Sequence, residues 1–123
     1  MFSHMLIATD GTELSEKAVQ QGVALAETLG ARITFIHVTE PWTSAVSGEW
    51  ALAFPVEEYE KIAAANAKAI LGKAAAEAGG VPCETVHVTD QFAAEGIVEE
   101  AKGRAYDLIV INGLHRTGRL CRH

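Results

Sequence analysis

Two apolar patterns alternate along the chain, short unbroken runs and three- or four-residue steps, and together they predict the elements. Residues 4–9, "HMLIAT", form a compact apolar run stopped by Asp10-Gly11, which predicts a buried strand followed by a turn. Residues 13–29 place Leu14, Ala18, Gly22, Leu25, Ala26 and Leu29 at helical spacing, with Thr12 or Ser15 to cap and Gly30 to stop. That spacing predicts an amphipathic helix with those residues toward the core. "RITFIHV" (32–38) is rich in β-branched and aromatic residues and predicts a second strand. Residues 39–56 form a long connection punctuated by Pro41, Gly48 and Pro55, whose Trp42, Trp50 and Phe54 either lie back on the core or present a lid or partner surface. The alanine-rich stretch 57–78 predicts a long helix facing the core through Tyr59, Ile62, Ala63, Asn66, Ile70 and Ala74. "CETVHV" (83–88) alternates weakly as a third strand, and 93–103 turns through Ile97, Val98 and Ala101 as a short helix. "YDLIVIN" (106–112) is the strongest strand pattern, and its apolar run predicts a central place in the sheet.

The order β-α-β-α-β-α-β, with near-continuous apolar strands, predicts an α/β fold: an open parallel sheet covered on both faces by right-handed crossovers. In such sheets the ligand crevice lies at the carboxyl ends of the strands, where the strand order reverses. The segments to search are therefore "TDGT", "HVTEP", "HVTDQ" and "INGLHRTG".

Composition narrows the function classes. A chain of 123 residues suits a single domain, 1–123, with one core. Lys and Arg total 10 against 16 acids, a formal charge of −6, which argues against nucleic acid or anionic lipid as partner. The last ten residues run the other way, with Arg116, Arg119, Arg122, His115 and His123 and no acid. Cys83 and Cys121 form no zinc, redox or disulfide pattern, which places the chain in a reducing cytoplasm, and Cys83, following Pro82 at a strand start, is expected to be inert packing. No signal peptide and no run of about 18 apolar residues is present, so a soluble protein without a membrane partner is expected.

Candidate chemistry follows the strand ends. Asp10 can accept from a ribose hydroxyl or hold a metal, Gly11 lets a ligand near the backbone, and the next helix offers free amides to an anion; the same residues equally suit an ordinary turn with its cap. Gly113 and Gly118 flank Arg116 and Thr117 in a segment that suits a phosphate or a plain surface loop, and it matches neither Walker A nor GxGxxG. His37 and His87 share the context His-Val-Thr-acid; each imidazole is expected to bond a neighbouring turn rather than to serve a metal or proton transfer. No hydroxyl or thiol has a base in a recognised arrangement, which predicts a non-enzymatic protein without a metal site.

"MLIATDGTELSEKAVQQGVALAETLGARITFIHV" and "AEGIVEEAKGRAYDLIVI" resemble the universal stress protein family in order and spacing. The resemblance implies an adenine-nucleotide alpha-hydrolase-like sheet, order 3-2-1-4-5, usually in a homodimer, with ATP in the crevice of some members. It places Ala8, Thr9, Asp10 and Gly11 beside ribose and phosphates and Val38 on adenine. After Ile111 the match departs from the family's glycine motif. Asn112, Gly113, His115, Arg116 and Gly118 retain only part of the loop, and no Gly-Ser/Thr pair follows. The expectation is a C-terminally shortened domain of order 3-2-1-4, lacking the usual fifth strand, with a bare fourth-strand edge open to self-association. In function it is a stress-response protein with weak or lost ATP or AMP binding. A working ATP switch with slow or no hydrolysis, or a nucleotide-independent dimerisation module joined through strand four or the Trp42–Phe54 loop, are the alternatives.

Overall fold

The computed structural model describes residues 4–41, 55–89, 92–104, 106–111 and 114–117, with 93–94 and 114–117 as backbone. The elements in chain order are β1 (His4–Ala8), α1 (Glu13–Leu29), β2 (Arg32–Thr39), α2 (Val56–Glu77), β3 (Cys83–Thr89), α3 (Ala93–Gly103), β4 (Leu108–Ile111) and β5 (Leu114–Thr117). The Trp42–Phe54 segment and the tail beyond Thr117 lie outside the described residues.

The sheet order is β3-β2-β1-β4-β5. The first four strands are parallel, as the apolar runs and the resemblance both require. Alternation along each strand divides the core into two layers. Met5, Ile7, Ile33, Phe35 and Val110 face α1 and α2, meeting Ala18, Val19, Val23, Leu71 and Ala74. Leu6, Ile36 and Ile109 face α3, meeting Ile97 and Tyr106. Every one of these residues is below a tenth exposed, so both layers are closed.

Three expectations are corrected. The first concerns β4, whose edge is not bare: Leu114–Thr117 pairs with it antiparallel, Leu114 opposite Ile111 and Thr117 opposite Leu108. Residues 114–117 therefore run back along β4. β4 lies between two strands, which suits its wholly apolar run. The second concerns the helix faces. Leu14 and Ile62 are each 56% exposed, because the buried stripes are Ala18, Val19, Gly22, Val23 and Ala26 on α1, and Ala67, Leu71 and Ala74 on α2. Alanine at nearly every turn of α2 leaves its apolar face poorly defined by sequence, and only the C-terminal half of the helix lies against the core. Third, Cys83 is exposed at the start of edge strand β3 rather than packed.

The two His-Val-Thr triplets lie side by side on β2 and β3, with His37 opposite His87 and Thr39 opposite Thr89. Their likeness reflects equal strand positions at the carboxyl edge of the sheet.

Candidate functional site: the carboxyl edge of β1, β2 and β4

The strand order reverses between β1, which is followed through α1 by β2 on one side, and β4 on the other. A cleft of ≈ 70 Å³ opens there, lined by Ala8, Thr9, Asp10, Val38, Ile97 and Ile111, with Ile36 and His37 completing it. Four positions chosen from the sequence, Ala8, Thr9, Asp10 and Val38, are therefore brought together from two strands. Ile36, Ile97 and Ile111 were not anticipated as site residues. Each looked like a core apolar residue, and no local pattern distinguishes a residue at the core's rim from one in its centre.

Short-range hydrogen bonds set the turn after β1. Thr12 caps α1, its hydroxyl accepting from the Ser15 amide at 3.2 Å and donating to Asp10 Oδ1 at 2.6 Å. The Thr12 amide donates to the same Oδ1 at 2.9 Å. The Ser15 hydroxyl, fully buried, gives its single proton to the Thr12 carbonyl at 3.0 Å. It must therefore accept from the Thr9 hydroxyl, 3.2 Å away, and it also accepts from the Asp10 amide at 3.3 Å. Each proton in this ring has one destination, so the Asp10 carboxylate is held in place while remaining exposed. Burial pushes the Asp10 carboxyl upward, but the Thr12 hydroxyl and amide outweigh it and hold the group below its ordinary range. Gly11 closes the turn at φ 82°, a left-handed conformation that other residues strain to adopt.

The cleft wall depends on a second glycine. A Cβ at Gly96 would lie 2.8 Å from Val38 Cγ2, so the bare backbone of α3 is what lets that helix close upon Val38. On the opposite face of β2, His37 donates from Nδ1 to the Thr9 carbonyl at 2.9 Å, tying β2 to the turn. His87 Nε2 meets the Thr39 hydroxyl at 2.7 Å, and the two rings stand 5.8 Å apart. Both imidazoles thus bond to neighbouring backbone or hydroxyl groups. Burial, and then His37, keep His87 below the usual histidine range.

Asn112, Gly113 and Gly118 lie outside the described residues. The backbone of His115 and Arg116 belongs to β5, opposite Val110 and Ile109. These two positions therefore run back along β4, away from the carboxyl edge where the sequence placed a phosphate loop. Among the described lining residues of the cleft there is no lysine or arginine, and α1 begins with Glu13 and Glu16. No cluster of three or more potential metal ligands occurs among the described residues.

The fold and cleft define an open, doubly wound α/β domain with its crevice at the strand-order reversal. The chain belongs to the universal stress protein family, whose profile matches residues 1–121. It is 33% identical over 125 residues to a universal stress protein encoded in the QAH/OAS sulfhydrylase 3′ region of Thermus aquaticus, covering 98% of this chain and 85% of that one. Its backbone superposes on the universal stress protein UspA from Lactobacillus plantarum with a TM-score of 0.73 at 20% identity, covering 89% and 76% of the two chains. The universal stress protein from Archaeoglobus fulgidus in complex with dAMP gives a TM-score of 0.63 at 17% identity, covering 90% and 80%. No described helix is long and apolar enough to cross a membrane.

Proposed function

We propose that this chain is a non-enzymatic stress protein of the cytoplasm that binds adenine nucleotide weakly, holding the base and ribose better than the phosphates. The observation that carries the reading is the composition of the cleft: an apolar wall of Val38, Ile97 and Ile111 beside an oriented carboxylate, Asp10, with no cation among the described lining residues. An apolar wall suits a purine face, and an exposed carboxylate suits ribose hydroxyl donors. The dAMP complex of the Archaeoglobus fulgidus relative supports adenine nucleotide as the ligand class.

Two features support weakness. A cleft of ≈ 70 Å³ is small beside the roughly 300–1,000 Å³ of a typical small-molecule pocket, so a nucleotide would lie largely on the surface. The phosphates would meet the carboxylates of Asp10 and Glu13 at the mouth of α1, where like charge opposes them.

Isothermal titration with adenosine, AMP and ATP tests this reading. The expected order is adenosine and AMP binding in the high-micromolar to millimolar range, ATP no tighter than AMP, and loss of all three in Asp10→Ala. Tight binding of ATP with a strong preference over adenosine would contradict the proposal. Phosphate release by the purified protein, lost in Asp10→Ala, would establish an enzyme instead.

A further inference from the structure

His37 and His87 stand opposite each other on β2 and β3, on the face of the sheet that packs against α1 and α2. They line one groove along the N-terminal half of α2, His37 with Ile62 and Asn66, His87 with Val56 and Ala64, and Thr39 and Tyr59 are common to both stretches. His37 is 8% exposed, and the fold uses only one of its ring nitrogens. Nδ1 donates to the Thr9 carbonyl at 2.9 Å, which leaves Nε2 as a lone pair with no partner among the described residues. That nitrogen is open to the groove, since among the described residues the one sealed side-chain nitrogen or oxygen without a partner is Glu77 Oε2. A histidine that ligates a metal is held in this way, one nitrogen on a backbone carbonyl and the other free. The two nitrogens of a ring diverge, so Nε2 of His37 turns from β1 toward β3, while Nε2 of His87 reaches back over β2 to the Thr39 hydroxyl at 2.7 Å. The ring centres are 5.8 Å apart. With about 2.0–2.1 Å from metal to nitrogen and roughly 1.1 Å from nitrogen to ring centre, two imidazoles on one ion have centres about 5–6 Å apart at tetrahedral and somewhat wider angles. The observed spacing therefore admits a shared ion.

We propose that His37 and His87, each through Nε2, together bind a divalent transition-metal ion of the zinc type, with water completing its coordination. Imidazole selects such ions over Mg²⁺ and Ca²⁺, which take oxygen ligands. The groove is ≈ 290 Å³ at His37, and at about 30 Å³ per water it has room for the ion and its remaining waters. The Thr39 hydroxyl gives up its bond to His87 as the ion enters. Two protein ligands, fewer than the three or four of resident zinc sites, make the binding weak and reversible. Coordination at Nε2 makes Nδ1–H of His37 a stronger donor to the Thr9 carbonyl, so occupancy is felt at the turn that orients Asp10.

The test is a titration of the whole chain with zinc chloride at neutral pH, followed by NMR of the imidazole nitrogens, with Cys83→Ser and Cys121→Ser in place so that no thiolate competes. The expected result is that Nε2 of His37 and Nε2 of His87 shift together to one saturating endpoint, with a micromolar dissociation constant. Nδ1 of His37 should keep its proton throughout. Magnesium chloride should move neither ring, and the ring of His4, bonded to Thr34, should stay still in both titrations. His87→Gln should weaken zinc binding at His37 roughly tenfold or more, since the loss of even an outer partner costs that much at a metal site. Thr39→Val removes the hydroxyl that competes for His87 and should tighten binding a few-fold. Unsaturable shifts, a response at one ring alone, an equal response to magnesium, affinity unchanged by His87→Gln, or affinity not raised by Thr39→Val would overturn the proposal. None of these readouts depends on nucleotide binding.

Discussion

Thr12 holds the turn after β1 through three hydrogen bonds, donating twice to Asp10 Oδ1 and accepting from the Ser15 amide. Thr12→Ala removes the helix cap and one of the two Asp10 donors; it should lower stability by about 1–2 kcal/mol in urea denaturation. In the same variant the Asp10 carboxyl should titrate closer to its ordinary value, which carboxyl-detected NMR would follow. A second residue-scale prediction concerns His4, which is buried with Nε2 2.7 Å from the Thr34 hydroxyl. Thr34 gives its proton to Glu84, so it accepts from His4. Burial, then Arg32 and Arg104, lower the His4 pKa below 6.5, with Glu84 and Asp107 opposing and the Tyr106 ring packed alongside. Folding therefore favours the neutral imidazole. The stability it confers is complete above pH 6.5, declines as pH falls toward the lower folded value, and levels off beneath it. Denaturation midpoints measured from pH 7.5 downward should show that decline, and His4→Gln should flatten it; an unchanged slope would refute the assignment.

Elements meet most closely where a glycine faces a side chain. Gly96→Ala would bring a methyl group to 2.8 Å from Val38 Cγ2, forcing α3 off the sheet at the cleft wall. The expected loss is about 1–3 kcal/mol, with shifted resonances at Val38 and Ile97. Gly72 in α2 meets nothing within 4 Å, so Gly72→Ala should stabilise by about 0.5–1 kcal/mol. Opposite signs for the same substitution in two helices separate backbone propensity from packing, and equal signs would contradict the close approach of α3. Such approaches were not legible in the sequence. Glycine reads alike at both positions, and only the partner strand distinguishes them. The helices themselves were legible, because their apolar spacing is local; the bearing of α2 was blurred by its alanines. The return of residues 114–117 along β4 was not read from the sequence, because the same stretch fitted a phosphate loop.

At the scale of the whole molecule, β4 is enclosed by β1 and β5, while β3 is outermost among the described strands. Self-association is therefore proposed to use an outer strand rather than β4. Sedimentation velocity should report it as concentration-dependent mass independent of nucleotide, and an Ile36→Lys control would unfold the chain rather than dissociate it. A charge placed on β3, as in Thr85→Lys at an exposed position, should shift the equilibrium toward monomer if that edge is the interface and leave it unchanged otherwise.

The sequence by itself determined the class of fold, the order of the first four strands and three helices, and the positions of Ala8, Thr9, Asp10 and Val38 at strand ends. Periodicity, turn residues and caps act over a few neighbours, and those neighbours are contiguous in the chain. Only the tertiary structure decided that Ile97 and Ile111 complete the cleft, that β5 covers β4 with His115 and Arg116 running away from the crevice, and that His37 stands beside His87. Each of these depends on which faces of distant segments meet. Packing sums the side chains of several elements at one point, and no single stretch of sequence contains that sum.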